Sequence, residues 1–391
     1  MTGSPTLFTP LTIRSITLRN RLVISPMCQY SASDGLANDW HLVHLGKLAQ
    51  GGAGLVFSEA IAVQCRGRIT HGDLGIWSDA QTQALRRITA FISSMGSVPA
   101  IQLGHAGRKA SMQRPWHGNG PLDETDIARG EKPWDVIGPS AIPLADGWLV
   151  PREMSQADIQ KVVEDFASAA RRAADAGFEV AEVHAAHGYL AASFLSPVSN
   201  HRNDAYGGDR AGRSRMLLET VEAVRYVWPK DKPLFVRISA VDGAPDGWSL
   251  TDTVALANDL KSLGVDVIDC SSGGILGSAT AAKGPPPQPG FQVPYAQAVK
   301  DGSGLMTQAV GLVLTPAQAE TIVAEEHADL VAIGREALTD PNWPLHAAVT
   351  LAGDPAWEQW PPQYGWWLSR RARLLTALGS ARSSNCCADS S

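Results

Sequence analysis

The sequence lacks the features that mark membrane, secreted and fibrous proteins. No apolar run approaches the roughly 18 residues of a transmembrane helix, and the first residues show neither the basic nor the apolar segment of a secretory signal. Charged residues make up only 18% of the 391 residues and hydrophobic residues 44%, a composition typical of globular domains. We therefore exclude a largely disordered chain, a coiled coil and a collagen-like fibre, and we expect no membrane partner.

Basic charge and paired cysteines are also scarce. The 33 basic residues are outnumbered by 39 acidic ones, giving a net charge of −6, whereas nucleic-acid-binding domains usually carry a basic surface. The five cysteines form no CxxC pair, which argues against a disulfide framework and a structural zinc site. These observations predict a cytoplasmic protein that binds a small molecule and no nucleic acid.

Short apolar runs alternate with segments of helical periodicity along most of the chain. The runs are continuously apolar, as in the strands of a parallel sheet that is covered on both faces. They are Leu22–Ser25, Leu55–Ala60, Pro99–Leu103, Phe178–His184, Leu234–Ser239, Asp266–Ser271, Leu305–Val310 and Leu330–Ile333. Eight strand-then-helix units predict an α/β fold of the (β/α)₈ TIM barrel type. The alternative, a doubly wound sheet, lacks the expected GxGxxG turn after its first strand.

Helix boundaries are indicated by capping patterns. Ser155 with Asp158, and Ser249 with Asp252, resemble capping boxes, although Glu is the more usual residue at the third helical position. Thr315 precedes a proline at a predicted first helical position. Further predicted helices are Asp39–Gln50, Ala80–Met95, Arg213–Val227 and Trp343–Leu351.

One domain is expected to span residues 1–378, with two long excursions. Residues 105–153 follow the third strand on the face where barrel enzymes place their active sites, and they predict a substrate cap. The proline-rich segment Gly284–Pro294 predicts a stiff loop beside the sixth strand. Residues 355–378 are expected to form a C-terminal arm, and residues 379–391 a disordered tail.

Polar side chains concentrate where the predicted strands end, which is the catalytic rim of a barrel enzyme. The first strand is followed by Ser25, Pro26, Met27, Cys28 and Tyr30, and the others contribute Ala60, Gln102, His184, His187, Tyr189, Arg237, Gly311, Gly334 and Arg335. Two histidines, a tyrosine, a cysteine, two arginines and an amide on one rim predict an active site.

Several segments in this order resemble the old yellow enzyme family, from about Leu7 to Trp367. They are PMCQY, DWHLVHLG, QLGHAGRKAS, HAAHGYLAASFLSP, NHRNDAYGG, VRIS and IGREAL. The closest match is the branch with an active-site cysteine after the first strand, the thermophilic-like or xenobiotic reductase type. The resemblance implies an FMN-dependent ene-reductase that takes hydride from NADPH or NADH and passes it to activated alkenes.

The resemblance also implies how the flavin is held. Gln102 would face its uracil-like edge, and Gly311, Gly334 and Arg335 its phosphate. Residues Ser25, Pro26, Met27, Cys28 and Ala60 would line the ring. Arg237 would stand near the part of the ring that becomes negative on reduction. A unit charge about 4 Å away at an effective dielectric near 20 is worth roughly 4 kcal/mol, so Arg237 could raise the flavin potential by up to ~90 mV. The alternative for Arg237 is an internal ion pair.

Substrate contacts follow from the same resemblance. His184 and His187 would clamp the substrate oxygen with two ring N–H donors, and Tyr189 would donate a proton to the α carbon. The residues expected to line the pocket are Tyr30, Trp116, Phe291, Trp366 and Trp367. In several relatives of this branch a C-terminal arginine enters a neighbouring subunit's active site. Trp366 or Trp367 occupies that place here, and a homodimer or homotetramer is expected.

Three alternative interpretations stay open from the residues alone. The HxxH pair of His184 and His187 could hold a catalytic metal in a barrel hydrolase. The candidates for a third ligand, Glu182 and Glu59, look like strand residues and not rim residues, so no metal is expected. The barrel could also bind a flavin without turnover. Finally, Cys28 could be a covalent nucleophile and not a partly acidic thiol that tunes the flavin.

Overall fold

The computed structural model describes residues 5–277, 287–352 and 357–386, with side chains described as far as residue 378. Twelve strands lie within these ranges. Their bounds are β1 Leu11–Ile13, β2 Ile16–Leu18, β3 Leu22–Ile24, β4 Leu55–Ala62, β5 Val98–Gly104, β6 Ile137–Gly138, β7 Arg152–Glu153, β8 Val180–Ala185, β9 Leu234–Ser239, β10 Val267–Ser271, β11 Met306–Ala309 and β12 Leu330–Ile333. The eight predicted strands all exist, and each differs from its expected bounds by at most two residues at either end.

Eight of these strands form a closed parallel barrel in the order β3-β4-β5-β8-β9-β10-β11-β12. The pairing of Val331 with Leu22 closes the ring between the last strand and the first. The (β/α)₈ prediction is therefore confirmed. Strands β1 and β2 form an antiparallel hairpin whose Ile13 and Leu18 pack with the apolar residues of the barrel interior, so the hairpin covers that layer.

Twelve α-helices are present in the described ranges. Their bounds are α1 Asp39–Gln50, α2 Asp79–Ser94, α3 Glu124–Ala128, α4 Gln156–Asp175, α5 Leu190–Leu195, α6 Arg210–Val227, α7 Leu250–Ser262, α8 Val293–Ser303, α9 Pro316–Ala324, α10 Arg335–Thr339, α11 Trp343–Ala352 and α12 Pro362–Cys386. None of them combines the length and apolar character that a membrane span requires.

The predicted helix starts hold at the atomic level. Ser155 and Asp158 form a reciprocal capping box at α4, and Ser249 and Asp252 form another at α7. Thr315 caps α9, with proline at the first helical position. Each cap satisfies backbone N–H groups that have no partner inside the helix.

Two expectations about irregular segments need correction. Helix α8 begins at Val293, so the last two residues of the predicted stiff loop are helical; Pro294 is tolerated because it lies in the first turn. Helix α12 continues to Cys386, so the predicted tail is helical from 379 to that residue, although residues 379–386 are rich in serine and of low helix propensity. Residues 278–286, 353–356 and 387–391 lie outside the described ranges.

The barrel interior consists of an apolar layer and a polar layer. The apolar layer includes Val23, Leu55, Phe57, Val180, Phe235, Val267 and Leu330. Nearer the carboxyl ends of the strands, the buried inward-facing residues are polar: Gln102, Glu182, Arg237, Asp269 and Gln308. Burying ionisable groups without solvent is costly unless they are paired, so this polar layer indicates a functional role for the end of the barrel above it.

The excursion after β5 packs over the ends of the first barrel strands. Strand β6 pairs with β7, and a small apolar cluster forms around Ile69, Ala110, Met112 and Val136. Trp134 and Trp148 from the excursion pack against this cluster, together with Cys28, Tyr30 and Tyr189 of the rim. The excursion therefore lies against the predicted active site, where a cap was expected.

Candidate active site

A left-handed turn after strand β8 places the predicted catalytic loop. His187 has φ of 61° and Gly188 φ of 71°, conformations that are costly for residues with a side chain and easy for glycine. A Cβ at Gly188 would lie 2.3 Å from the carbonyl oxygen of Gly274, so this position cannot carry a side chain without displacing the loop after β10. The strained His187 backbone is typical of a functional site.

The turn brings three aromatic rings together. The ring centroids of His184 and His187 are 5.1 Å apart, those of His184 and Tyr189 are 5.1 Å apart, and those of His187 and Tyr189 are 6.5 Å apart. Burial, followed by the positive charge of Arg237, lowers the pKa of both histidines well below the usual value. Both rings are therefore neutral at pH 7, and each has one N–H to donate.

The hydrogen bonds of the two rings decide which nitrogens are donors. The backbone N–H of Ala186 donates to His184 Nδ1 over 3.3 Å, which leaves the proton of that ring on Nε2. His184 Nε2 faces His187 Nδ1 at 3.4 Å, and His187 Nε2 lies 2.6 Å from the Ser271 hydroxyl oxygen. If Ser271 donates to His187 Nε2, the two facing nitrogens are both N–H groups and need a shared acceptor. The two-donor clamp therefore depends on Ser271.

A buried lysine from the excursion holds this loop. Lys109 Nζ donates to the backbone carbonyls of His187, Gly274 and Gly277 over 2.8, 3.0 and 3.0 Å. Its ammonium group also lies 5.3 Å from the centre of the Tyr189 ring. Burial, with Arg108 nearby, lowers the Lys109 pKa to about 7. Lys109 thus links the excursion, the histidine turn and the loop after β10.

The thiol of Cys28 is in an environment that disfavours the thiolate. Burial raises its pKa well above the usual value, and the carboxylates of Glu59 and Asp73 raise it further, while hydrogen bonds from Ala60 and Tyr30 act against this. The raised pKa disagrees with a partly acidic thiol, because burial and then the acidic groups behind this segment disfavour a negative charge. A resting thiolate nucleophile is disfavoured for the same reason.

Glu59 owes its position to an irregularity in the sheet. The register between β4 and β5 shifts between Phe57 and Ala60, and Oε1 of the buried Glu59 lies 3.1 Å from His41 Nε2. Its other oxygen accepts from the backbone N–H of Gln29, which fixes the segment that carries Cys28. Ala60 is left opposite Gln102.

Gln102 and Arg237 lie under the rim but have partners that the sequence did not predict. Gln102 Nε2 donates to Glu182 Oε1 over 2.7 Å, and Arg237 Nε forms an ion pair with Asp269 at 3.2 Å. The internal ion pair that was considered as an alternative for Arg237 is therefore present, on the Nε side of its guanidinium. Its two terminal nitrogens make no hydrogen bond to any described residue, so they remain available to a ligand above.

A separate pocket lies between the loops that follow β11 and β12. Gly311, Leu312, Gly334 and Arg335 line it. A Cβ at Gly311 would lie 2.8 Å from Gln292 and 3.0 Å from the ring of Phe291, which places Phe291 against this loop. Gly334 lies near the side chains of Met27 and Ser25. The backbone N–H of Ser25 donates to the carbonyl oxygen of Ile333. The segment Ser25–Met27 therefore adjoins the pocket.

The predicted tryptophans have different surroundings. Trp116 is 61% exposed, and its ring packs edge-on against Tyr30 with centroids 5.9 Å apart, so it lies beside the rim. Trp366 packs against Trp367 at 4.4 Å and beneath Arg370, and both tryptophans are at least half exposed on α12. These contacts within one chain do not bring Trp366 or Trp367 to the histidines.

Sequence reasoning missed several groups that shape the site. They are Asp73, Lys109, Glu182, Asp269 and Ser271. Only the position of Ser271 at a strand end gave a signal; the others become significant through partners that lie far away in sequence. His44 and His105 are also buried, and burial is the main reason why their pKa values are lowered to about 4 and about 3.

Comparison with known proteins identifies the family. Residues 6–353 match the model of the NADH:flavin oxidoreductase / NADH oxidase family. The chain belongs to this family. The predicted old yellow enzyme relationship is thereby confirmed, whereas the assignment to the cysteine branch stays a prediction.

Individual relatives agree with this membership. The chain is 44% identical over 347 residues to an NADPH dehydrogenase of Geobacillus sp. (strain WCH70), covering 88% of this chain and 94% of the relative. It is equally similar to an NADPH dehydrogenase of Bacillus cytotoxicus, with 92% of that relative covered.

Among solved structures, morphinone reductase matches with a TM-score of 0.72 and 25% identity, covering 89% of this chain and 90% of that one. Morphinone reductase in complex with tetrahydroNAD gives a TM-score of 0.71 at the same identity, covering 89% of this chain and 92% of that one. This member of the NADH:flavin oxidoreductase / NADH oxidase family is an oxidoreductase whose cofactors are FMN and a nicotinamide dinucleotide.

Proposed function

We propose that this chain reduces activated C=C bonds of α,β-unsaturated carbonyl and related compounds, using NADPH or NADH, on a site built by the loop His184–Tyr189. The observation that carries the proposal is the convergence of three neutral ring groups above Arg237, in a chain of this flavin oxidoreductase family. Hydrogen-bond donors fixed in a buried site are what a developing enolate requires.

The residues present fit a bound FMN. The Gly311–Arg335 pocket offers glycine backbone and one guanidinium to a phosphate, at the barrel position where phosphates usually bind. The free terminal nitrogens of Arg237 and the remaining amide groups of Gln102 suit a polar ring edge. Ser25, Pro26, Met27, Cys28 and Ala60 would lie against the ring. FMN, when bound, supplies the hydride acceptor and donor between nicotinamide and substrate.

The histidines bind and polarise the substrate oxygen in this proposal. The proposal assigns the Ser271 hydroxyl as the donor to His187 Nε2. Because the Ala186 N–H donates to His184 Nδ1, His184 Nε2–H and His187 Nδ1–H then point into one gap. A carbonyl oxygen that accepts both would draw electron density from the β carbon. Because both rings are neutral, they stabilise the oxygen as it becomes negative without protonating it.

Tyr189 supplies the proton at the α carbon. Burial raises the pKa of its phenol well above the usual value, and the nearby Cys28 adds to this, so the group stays protonated until substrate charge develops beside it. Tyr30, whose hydroxyl bonds to Cys28, and Trp116 form the adjacent wall of the pocket. Phe291 would border the phosphate end.

Visible absorption and turnover test this function. The purified protein should carry stoichiometric FMN, show flavin bands, and reduce 2-cyclohexenone with NADPH. A colourless protein with stoichiometric zinc would support the barrel hydrolase instead, and a yellow protein without turnover would support a binding protein. A panel of enones, enals and maleimides would then define the substrate class.

The assembly and location are part of the proposal. The exposed tryptophans and leucines of α12 are an apolar surface in a single chain, which supports a homodimer or homotetramer in which Trp366 or Trp367 contacts a neighbouring subunit. Light scattering should give a mass that is a multiple of the chain mass. Replacing both Trp366 and Trp367 with serine should lower the measured mass. The free Cys28, Cys65 and Cys270 suit a reducing cytoplasm.

A further inference from the structure

Directly below the rim, the barrel encloses one guanidinium and two carboxyl groups. Arg237 on β9 is opposite Asp269 of β10, and Glu182 lies on β8, the strand on the other side of β9; both carboxyl groups have no exposed surface. Asp269 is paired with Arg237 at 3.2 Å. Glu182 accepts from Gln102 with one oxygen, and its other oxygen has no hydrogen-bond partner among the described residues.

The charges of this compartment do not balance if both carboxyl groups are ionised. One guanidinium would face two carboxylates, leaving a net negative charge in an interior without solvent, which costs several kcal/mol. One proton removes the imbalance. The carboxylate paired with the cation keeps its charge most easily, so the proton belongs on the carboxyl group that forms no ion pair with Arg237.

We infer that Glu182 is protonated and that Asp269 carries the negative charge that neutralises Arg237, so the flavin site rests on an ion pair and not on an isolated cation. Asp269 is then a positioning residue that limits the effect of Arg237 on the cofactor. The inference rests on the proposed function, because it takes the flavin to lie above Arg237.

The titration behaviour of the two groups agrees with this assignment. Burial raises the pKa of Glu182 well above the usual value, and the charge of Asp269 raises it further, against the effects of Arg237 and Gln102. Burial also raises the pKa of Asp269, but Arg237 and then Gln308 act in the opposite direction.

The arrangement has a consequence for reduction. Two-electron reduction adds negative charge to the flavin, which Arg237 favours and Asp269 opposes. Removing the Asp269 charge should favour the reduced flavin, whereas replacing an already neutral Glu182 by an amide should not.

Two amide substitutions at equally buried positions provide the test, with the holoenzyme used throughout. At a fixed solution potential, Asp269→Asn should raise the ratio of reduced to oxidised flavin at least ten-fold, about 30 mV for a two-electron couple. Glu182→Gln should leave this ratio unchanged, and the double variant should match Asp269→Asn. An unchanged ratio in Asp269→Asn, or a shift in Glu182→Gln, overturns the assignment.

Infrared spectroscopy detects the protonated carboxyl group of Glu182 directly. This measurement requires neither a bound flavin nor an Asp269 variant that folds. The wild type should show the C=O stretch of a buried protonated carboxyl group, and Glu182→Gln should lose it. Persistence of that band in Glu182→Gln would contradict the inference. A protein that binds no FMN would instead refute the proposed function, so the two failures are distinguishable.

Discussion

Individual side chains in this protein acquire their chemistry from partners that the chain brings in from distant positions. Cys28 was predicted at the rim from its motif, but its pKa is raised by burial and then by Glu59 and Asp73, which no local pattern connects to it. Arg237 was predicted from the end of a strand, while its partner Asp269 lies 32 residues later on the adjacent strand. Strand register decides such pairs, and register cannot be read from the motif alone.

Replacing the histidine pair tests the clamp. In the double variant His184→Ala/His187→Ala, FMN should stay bound and reducible by NAD(P)H, because its proposed ligands are elsewhere. The oxidative half-reaction should slow by roughly 10²-fold or more, as when oxyanion donors are removed. Stopped-flow measurement of both half-reactions checks this, and unchanged enone reduction would reject the clamp.

Removing the Cys28 thiol distinguishes a thiol that tunes the flavin from one that acts as a covalent nucleophile. We expect Cys28→Ala to remain yellow and active, with unequal changes in the two half-reaction rates, because the thiol is held neutral beside acidic groups. Cys65→Ala, which alters an exposed cysteine, is the matched control. Complete loss of enone reduction with normal FMN content and potential would show that Cys28 acts covalently.

The role of Ser271 can be tested through the His187 tautomer. Ser271→Ala should remove the donor to Nε2 and lower the rate constant for enone binding and reduction about ten-fold, the value of one hydrogen bond of ~1.4 kcal/mol. Histidine labelled with nitrogen-15 would report the tautomer directly. Ser239→Ala is the control, since the Ser239 hydroxyl accepts from the His187 backbone N–H and does not contact the ring. Equal effects in both variants would contradict the assignment.

Secondary-structure elements were predictable where they follow a general pattern. The barrel strands are buried on both faces and read as continuous apolar runs, and the α4 and α7 starts carry capping residues. Helix α5 was missed because all six of its residues are buried, so it has no polar face and no helical periodicity. The exposed apolar residues of α12 likewise gave no amphipathic pattern.

The α4 capping box gives an element-scale prediction with a defined pH dependence. Asp158 accepts two hydrogen bonds from Arg152 and two from Ser155, one from its hydroxyl and one from its N–H, which together hold the pKa of Asp158 well below the usual value. Asp158→Asn should lower the free energy of unfolding by ~1 kcal/mol at pH 7. Because the folded state favours the ionised form, this contribution is complete above the unfolded pKa of about 3.9 and is lost progressively as the pH falls from there through the lower folded-state pKa.

Denaturant unfolding between pH 7 and pH 3 checks this, with Asp252→Asn as the control. Asp252 occupies the same position in the α7 box and contacts Ser249, but no arginine contact accompanies it there. Its substitution should therefore cost less and vary less with pH. A pH-independent difference between wild type and Asp158→Asn would contradict the role of the Arg152 pair.

At the scale of the whole molecule, barrel closure places separate parts of the chain on one rim. The segment after β3, the turn after β8 and the loops after β11 and β12 meet there because parallel strands end on the same side. This much followed from the sequence, since strand order and strand ends suffice to predict the set of residues. The ionisation and hydrogen bonding of that set required the three-dimensional contacts, as Lys109 and Ser271 show.

The central claim is that this rim transfers hydride from a nicotinamide to an activated alkene through FMN. Anaerobic stopped-flow spectroscopy of the two half-reactions tests it most directly. NADPH should bleach the flavin absorption of the purified holoenzyme, and 2-cyclohexenone mixed with the reduced enzyme should restore it and yield the saturated ketone. A protein that binds no flavin, or a reduced flavin that the enone fails to reoxidise, would contradict the account.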